Sequence, residues 1–104
     1  MRPAVIELDQ AEWCPHSHAV RMRLTELGVP FVARQVPARP EERSAMRERT
    51  GETSIPTLVT EDGQAIAGED EILAWLDETY EADPEAVRSH RAKARTEDWL
   101  RGSA

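Results

Sequence analysis

Cys14, in the run Trp13-Cys14-Pro15-His16-Ser17, is the single cysteine of the chain. The residues after it place it at a helix start. Val20, Leu24 and Leu27 recur at spacings of four and three and share one helical face, Pro15 suits a first turn, and Gly28 suits the left-handed residue that closes a helix. A sulfur at that place meets the free N–H groups and positive end of the helix, which favour thiolate over thiol. The chemistry on offer is nucleophilic attack. A lone intracellular cysteine is more often a small buried hydrophobe, so the assignment needs support from elsewhere in the chain.

Two further places offer that support. Pro56 follows Thr53-Ser54-Ile55 at the start of a strand. A cis peptide there would present the backbone N–H and C=O of Ile55 to an extended, peptide-like ligand docking as an extra strand. A trans proline at a strand edge is the commoner case and has no such role. Gly68-Glu69-Asp70 opens a second helix. Carboxylates beside free backbone N–H groups can hold a zwitterionic amino acid, the amides taking its carboxylate and an acid its ammonium. Simple N-capping by Asp70 or Glu69 accounts for the same residues and is compatible with binding.

The elements that position these residues follow from the apolar pattern. Ala4-Val5-Ile6-Glu7-Leu8 reads as a first strand, Pro15 to Leu27 as a helix, and Val29 to Val36 as a second strand opened by an edge proline. Glu41 to Thr50 has good helix propensity and few apolar anchors, chiefly Ala45 and Met46, and ends at Gly51. Asp62-Gly63 between Ile55–Thr60 and Ala65–Ala67 signals a hairpin. Ile72, Leu73, Trp75, Leu76 and Tyr80 then repeat at helical spacing, with Trp75 in the core. The predicted order is β-α-β-α-β-β-α. Asp83-Pro84-Glu85 starts an added helix, with Trp99, His90 and Leu100 expected to pack it on the domain and a frayed tail at Gly102-Ser103-Ala104.

Composition bounds the function. The chain has 104 residues, which suits one folded unit. A formal charge of −7 disfavours nucleic acid. No apolar run is long enough to cross a bilayer, so no membrane partner is expected and the reading is cytoplasmic. One cysteine excludes an internal disulfide and a four-thiolate metal site. His18 does not converge with Cys14 and His16 on one helix face, so no metal is expected.

Taken in order, Cys14-Pro15-His16-Ser17, Thr53-Ser54-Ile55-Pro56 and Gly68-Glu69-Asp70-Glu71-Ile72 resemble the glutaredoxins, in the branch close to the N-terminal domain of glutathione S-transferases. The resemblance covers roughly residues 4 to 81. It implies an α/β thioredoxin fold, with a four-stranded mixed sheet flanked by helices over residues 1–82 and a helical extension over 83–104. It also implies that Cys14 is the nucleophile, tuned by Pro15, His16 and Ser17. Ser17 stands where dithiol members carry a resolving cysteine, so the chain looks monothiol. Glutathione, or another small thiol, would be the cosubstrate and thiolated proteins the partners. Ile55 and Pro56 would meet its cysteinyl unit, Glu69 and Asp70 its γ-glutamyl end, and Arg47 its glycyl carboxylate.

One departure bears on reactivity. Many glutaredoxins carry a base shortly before the cysteine, whereas Asp9-Gln10-Ala11-Glu12-Trp13 supplies two acids. Negative charge nearby pulls a thiol pKa upward, with a protonated His16 as the offset. The expected activity is reduction of mixed disulfides between proteins and a small thiol. The alternatives are a non-catalytic thiol-binding or partner-binding module, and, ranked last, a glutathione transferase, for which residues 84–104 supply too little helix to wall an electrophile pocket. The oligomeric state is not legible in the residues.

Overall fold

The computed structural model describes residues 5–94. The expected strand start at Ala4, the packing of Trp99 and Leu100 and the tail at Gly102 lie outside the described residues. The elements run β1 (Ile6–Gln10), α1 (Pro15–Leu27), β2 (Phe31–Gln35), a 3-10 turn (Pro40–Glu42), α2 (Ser44–Thr50), β3 (Thr57–Val59), β4 (Ala65–Ala67), α3 (Glu69–Thr79) and α4 (Pro84–Lys93). The four strands form one sheet in the order β2-β1-β3-β4. β1 and β2 are parallel and joined across α1, while β3 is antiparallel to both β1 and β4. This is the thioredoxin fold the sequence implies.

One sheet face is apolar. Leu8 lies opposite Leu58, and Leu58 opposite Ile66. Val20 and Leu24 of α1 and Ile72 and Leu76 of α3, each pair four residues apart, close on Ile6, Leu8 and Leu58 to form the buried core. Trp75 is half-buried against this core and meets Tyr80 edge to face at 5.9 Å between ring centroids. Gly28 ends α1 at φ 68°, where its N–H reaches the carbonyls of Leu24 and Thr25.

The other face is held by charge. β1 extends past its expected end at Leu8 through Asp9 and Gln10, both fully buried. Register explains it: Asp9 lies beside Arg34 and Thr57, and its carboxylate takes Arg49 of α2 at 3.1 Å. Gln10, on the opposite face, is bound by Arg21 of α1. Pairing offsets part of the cost of burying these groups, so the strand runs on where hydropathy alone ends it. The Asp9–Arg49 pair and buried Met46 fasten an α2 that has few apolar anchors.

The expected helix over Glu41–Thr50 is broken at Arg43 into the 3-10 turn and α2. Arg43 is buried because its guanidinium donates to the carbonyls of Pro37, Ala38 and Thr53, at 2.8, 3.0 and 2.7 Å. It thus ties the segment leaving β2 to the segment entering β3.

The helix after Asp83 is present as α4, capped by Asp83, whose carboxylate accepts the N–H of Glu85 at 3.0 Å. Its Arg91 donates to buried Glu26 of α1 at 2.8 Å, and Glu26 also takes Arg23 at 3.1 Å. Hydrogen bonding from Arg91, then from Arg23, outweighs burial and holds the Glu26 carboxyl below its ordinary range. A depressed carboxylate stabilises the fold fully above its unfolded value, about 4.3, and loses that contribution as the pH falls through the lower folded value. Hydrogen exchange should therefore show α4 loosening in acid before α1. Glu26→Gln should loosen it already at pH 7, raising α4 exchange rates about two- to fivefold. Among the described residues no helix is long and apolar enough to cross a membrane.

Candidate active site

Cys14 is the N-cap of α1, with extended backbone at φ −81° and ψ 119°. Pro15 takes the first helical position, where its missing N–H costs nothing. The sulfur therefore faces the first turn, and the Ser17 N–H donates to Sγ at 3.4 Å. The residue is 6% exposed, so the thiol is all but buried.

Ser17 is fully buried. Its Oγ makes no hydrogen bond of ordinary geometry to any described group, which leaves the hydroxyl free to turn its proton toward the sulfur one turn away. Burial pushes the Cys14 thiol up. The Ser17 hydroxyl and N–H, the His16 N–H and the His16 charge together outweigh it, and the net pKa lies below the ordinary thiol value. The upward pull expected from Asp9 and Glu12 does not prevail. Asp9 is tied to Arg49 and Arg34, and Glu12 accepts from Gln10 at 2.8 Å with Arg21 at 3.6 Å.

The Ser17 hydroxyl gives a test with two signs. Ser17→Ala removes a buried group without an ordinary partner, so stability is expected to hold or rise by up to about 1 kcal/mol. The same change removes a donor to the thiolate. Alkylation of Cys14 followed against pH should then shift toward higher pH while the melting temperature does not fall.

The second and third motifs meet beside this turn. The Ile55-Pro56 peptide is cis, and Pro56 is buried. Its carbonyl accepts the N–H of Gly68 at 2.9 Å. Gly68 has φ 93°, a conformation that favours glycine, and from it the chain enters α3. His16, Ile55, Pro56, Gly68, Glu69, Asp70 and Glu71 line one cleft of about 460 Å³. His16 Nδ1 and Glu69 Oε1 are 2.6 Å apart, and hydrogen bonding to Glu69 followed by its charge raises the His16 pKa.

Arg47 stands apart from that cleft. It lines a second one, of about 370 Å³, with Pro40, Glu41, Arg43, Ser44 and Thr53. The two clefts approach each other along the chain, Thr53 lining one and Ile55 the other. Sequence reasoning missed Arg43, the clamp on the Thr53 carbonyl, and the Glu69 contact with His16. Neither had a signal, since an arginine in a charged helix and an acid at a helix start both read as surface. Trp13, the residue before Cys14, is 66% exposed. His18 has its imidazole near Arg21, and among the described residues no cluster of His, Cys, Asp and Glu is suited to a metal ion.

A sheet of this order, with a helix-capping thiol after its inner parallel strand and a cis-proline opening the antiparallel one, defines a thiol protein of the thioredoxin fold. The family model described as glutathione S-transferase, N-terminal domain matches residues 13–79. Glutaredoxin 3 of Escherichia coli (strain K12) is 32% identical over 81 residues, 78% of this chain and 95% of that protein. The chain belongs to the glutathione S-transferase N-terminal domain family and is glutaredoxin-like within it. Among solved structures, a possible glutathione S-transferase from Rhodopseudomonas palustris is 25% identical, with a TM-score of 0.64 over 86% of this chain and 45% of that one. Glutathione S-transferase isozyme E7 from Drosophila melanogaster is 28% identical, with a TM-score of 0.64 over 72% of this chain and 34% of that one. The chain thus spans less than half the length of either transferase, and nearly all of the glutaredoxin.

Proposed function

We propose that the protein is a monothiol oxidoreductase that reduces mixed disulfides between proteins and glutathione or a similar small thiol. The observation that carries this is the Cys14 sulfur at the N-cap of α1, with its pKa lowered by Ser17 and His16. Cys14 thiolate attacks the glutathione sulfur of the mixed disulfide. A new disulfide forms between Cys14 and glutathione, and the old bond breaks to release the protein thiolate, which takes a proton from water. A second glutathione thiolate then attacks the glutathione sulfur, leaving as oxidised glutathione and restoring the Cys14 thiolate. The exchange balances: the protein sulfur is reduced, one glutathione thiol is consumed, and oxidised glutathione leaves carrying the glutathionyl unit of the mixed disulfide, while Ser17 has no covalent part.

In this reading the ligand spans both clefts. Ile55 offers its backbone to the cysteinyl unit, Pro56 shapes the wall, Glu69 and Asp70 with the first N–H groups of α3 face the γ-glutamyl end, and Arg47 takes the glycyl carboxylate. Residues 1–82 carry this unit and 83–104 extend it. Exposed Trp13 gives a thiolated protein an apolar contact beside the sulfur.

The test is reduction of a glutathione mixed disulfide by the purified protein, with glutathione, NADPH and glutathione reductase. Turnover that saturates with both disulfide and glutathione is the expected result. Absence of turnover with glutathione and with other small thiols would overturn the proposal in favour of a thiol-binding module.

A further inference from the structure

His16 lies in the first turn of α1 and Glu69 opens α3, yet Nδ1 of one and Oε1 of the other are 2.6 Å apart across 53 residues of chain. The contact joins two walls of the cleft formed by His16, Ile55, Pro56 and the start of α3. Cys14 caps the same helix two residues earlier, and His16 acts on its thiol through its backbone N–H and, through space, its charge. We propose that Glu69 is a positioning residue for the thiol, holding the His16 imidazole at Cys14, and that the ammonium of a bound γ-glutamyl group is left to Asp70. This deepens the functional reading above and rests on it for the nature of the ligand.

The arrangement of charge supports the division. Glu69, Asp70 and Glu71 of α3 line the cleft with His16, which is its one basic side chain among the described residues, and the Cys14 thiol lies two residues before His16 at the helix cap. Glu69 alone of the three acids reaches it at hydrogen-bond distance, a charge-assisted contact. Asp70 is exposed, acts on His16 through space, and makes no ion pair among the described residues. A ligand ammonium arriving at Glu69 would have to displace His16. At Asp70 it meets a carboxylate with no competitor.

Alkylation of Cys14 by iodoacetamide against pH, with an NMR titration of His16, reads the first half. Glu69→Gln is expected to slow alkylation at pH 7 about two- to fivefold, to move its midpoint upward and to move the His16 titration downward. His16→Gln should shift the alkylation profile in the same direction, and adding Glu69→Gln to it should change nothing further. Equal slowing with and without His16, or no slowing, would overturn the positioning role. The second half is read by protection of Cys14 with S-methylglutathione. Asp70→Asn should raise the half-protecting concentration about tenfold while Glu69→Gln raises it less. The reverse order would overturn it. Alkylation requires no turnover, so the first half stands or falls apart from the mixed-disulfide assay.

Discussion

Cys14→Ser is expected to leave less than about 0.1% of wild-type turnover, because a serine hydroxyl cannot ionise in the working range or hold a disulfide bond. The fold should survive the change. Serine is nearly isosteric, its Oγ accepts the Ser17 N–H at least as well as sulfur does, and the residue lies at a helix end outside the apolar cluster of Leu8, Val20, Leu24 and Leu58. Melting temperatures within a few degrees, with activity lost, separate a chemical from a structural role. Retained turnover would remove Cys14 from the reaction and with it the whole proposal.

The same variant tests linkage. The Cys14 pKa is lowered in the folded protein, so the thiolate contributes stability that is fully present above the ordinary thiol value, about 8.5, and is lost as pH falls through the lower folded value. His16 has the opposite sign. Its pKa is raised by Glu69, so its contribution is present below about 6.5 and lost as pH rises through the higher folded value. Urea midpoints taken across neutral pH should therefore rise with pH on the thiol's account and fall on the imidazole's. In Cys14→Ser the rising component is gone and the falling one remains.

How much of this was legible in the residues varies by kind of interaction. The apolar periods placed β1, α1, β3 and α3, because Leu8, Leu24, Leu58, Ile72 and Leu76 are buried for the reason they are apolar. The three motifs were legible as local chemistry: a thiol before proline, a proline at a strand start and acids at a helix start. The structure brings the His16 turn, the Ile55-Pro56 peptide and the α3 start to one cleft, and sets Arg47 in a neighbouring one. The misreadings share a cause, which is that a charge paired in three dimensions has the same letters as a charge in water. Asp9 and Gln10 look like a loop and are a buried strand end, held by Arg49 and Arg21. Arg43 looks like solvated helix and is a clamp. Sequence spacing carries periodicity within an element, and these partners sit on different elements.

The largest expected loss of stability comes from that clamp. Arg43→Ala leaves the carbonyls of Pro37, Ala38 and Thr53 without the donor that satisfies all three. A buried acceptor stripped of its partner costs about 1–3 kcal/mol. Water can reach part of this loop, whose residues around Arg43 are exposed, so the sum is incomplete and about 3–4 kcal/mol is expected. For a domain of this size each kcal/mol moves the melting temperature by about 4–8 °C, which predicts a fall of roughly 12–30 °C. Arg43→Lys should recover little, because one ammonium cannot span three carbonyls fixed by a planar fork. Arg47→Ala, four residues on and exposed, is the control: stability within about 0.5 kcal/mol, with the KM for glutathione raised if that guanidinium meets the glycyl carboxylate. If Arg43→Ala melts where the wild type does, the carbonyls are solvated and the clamp has no weight. If Arg47→Ala also melts early, the loss belongs to α2 as a whole. The expected split, stability at one arginine and thiol affinity at the other, assigns two side chains of one short segment to opposite tasks.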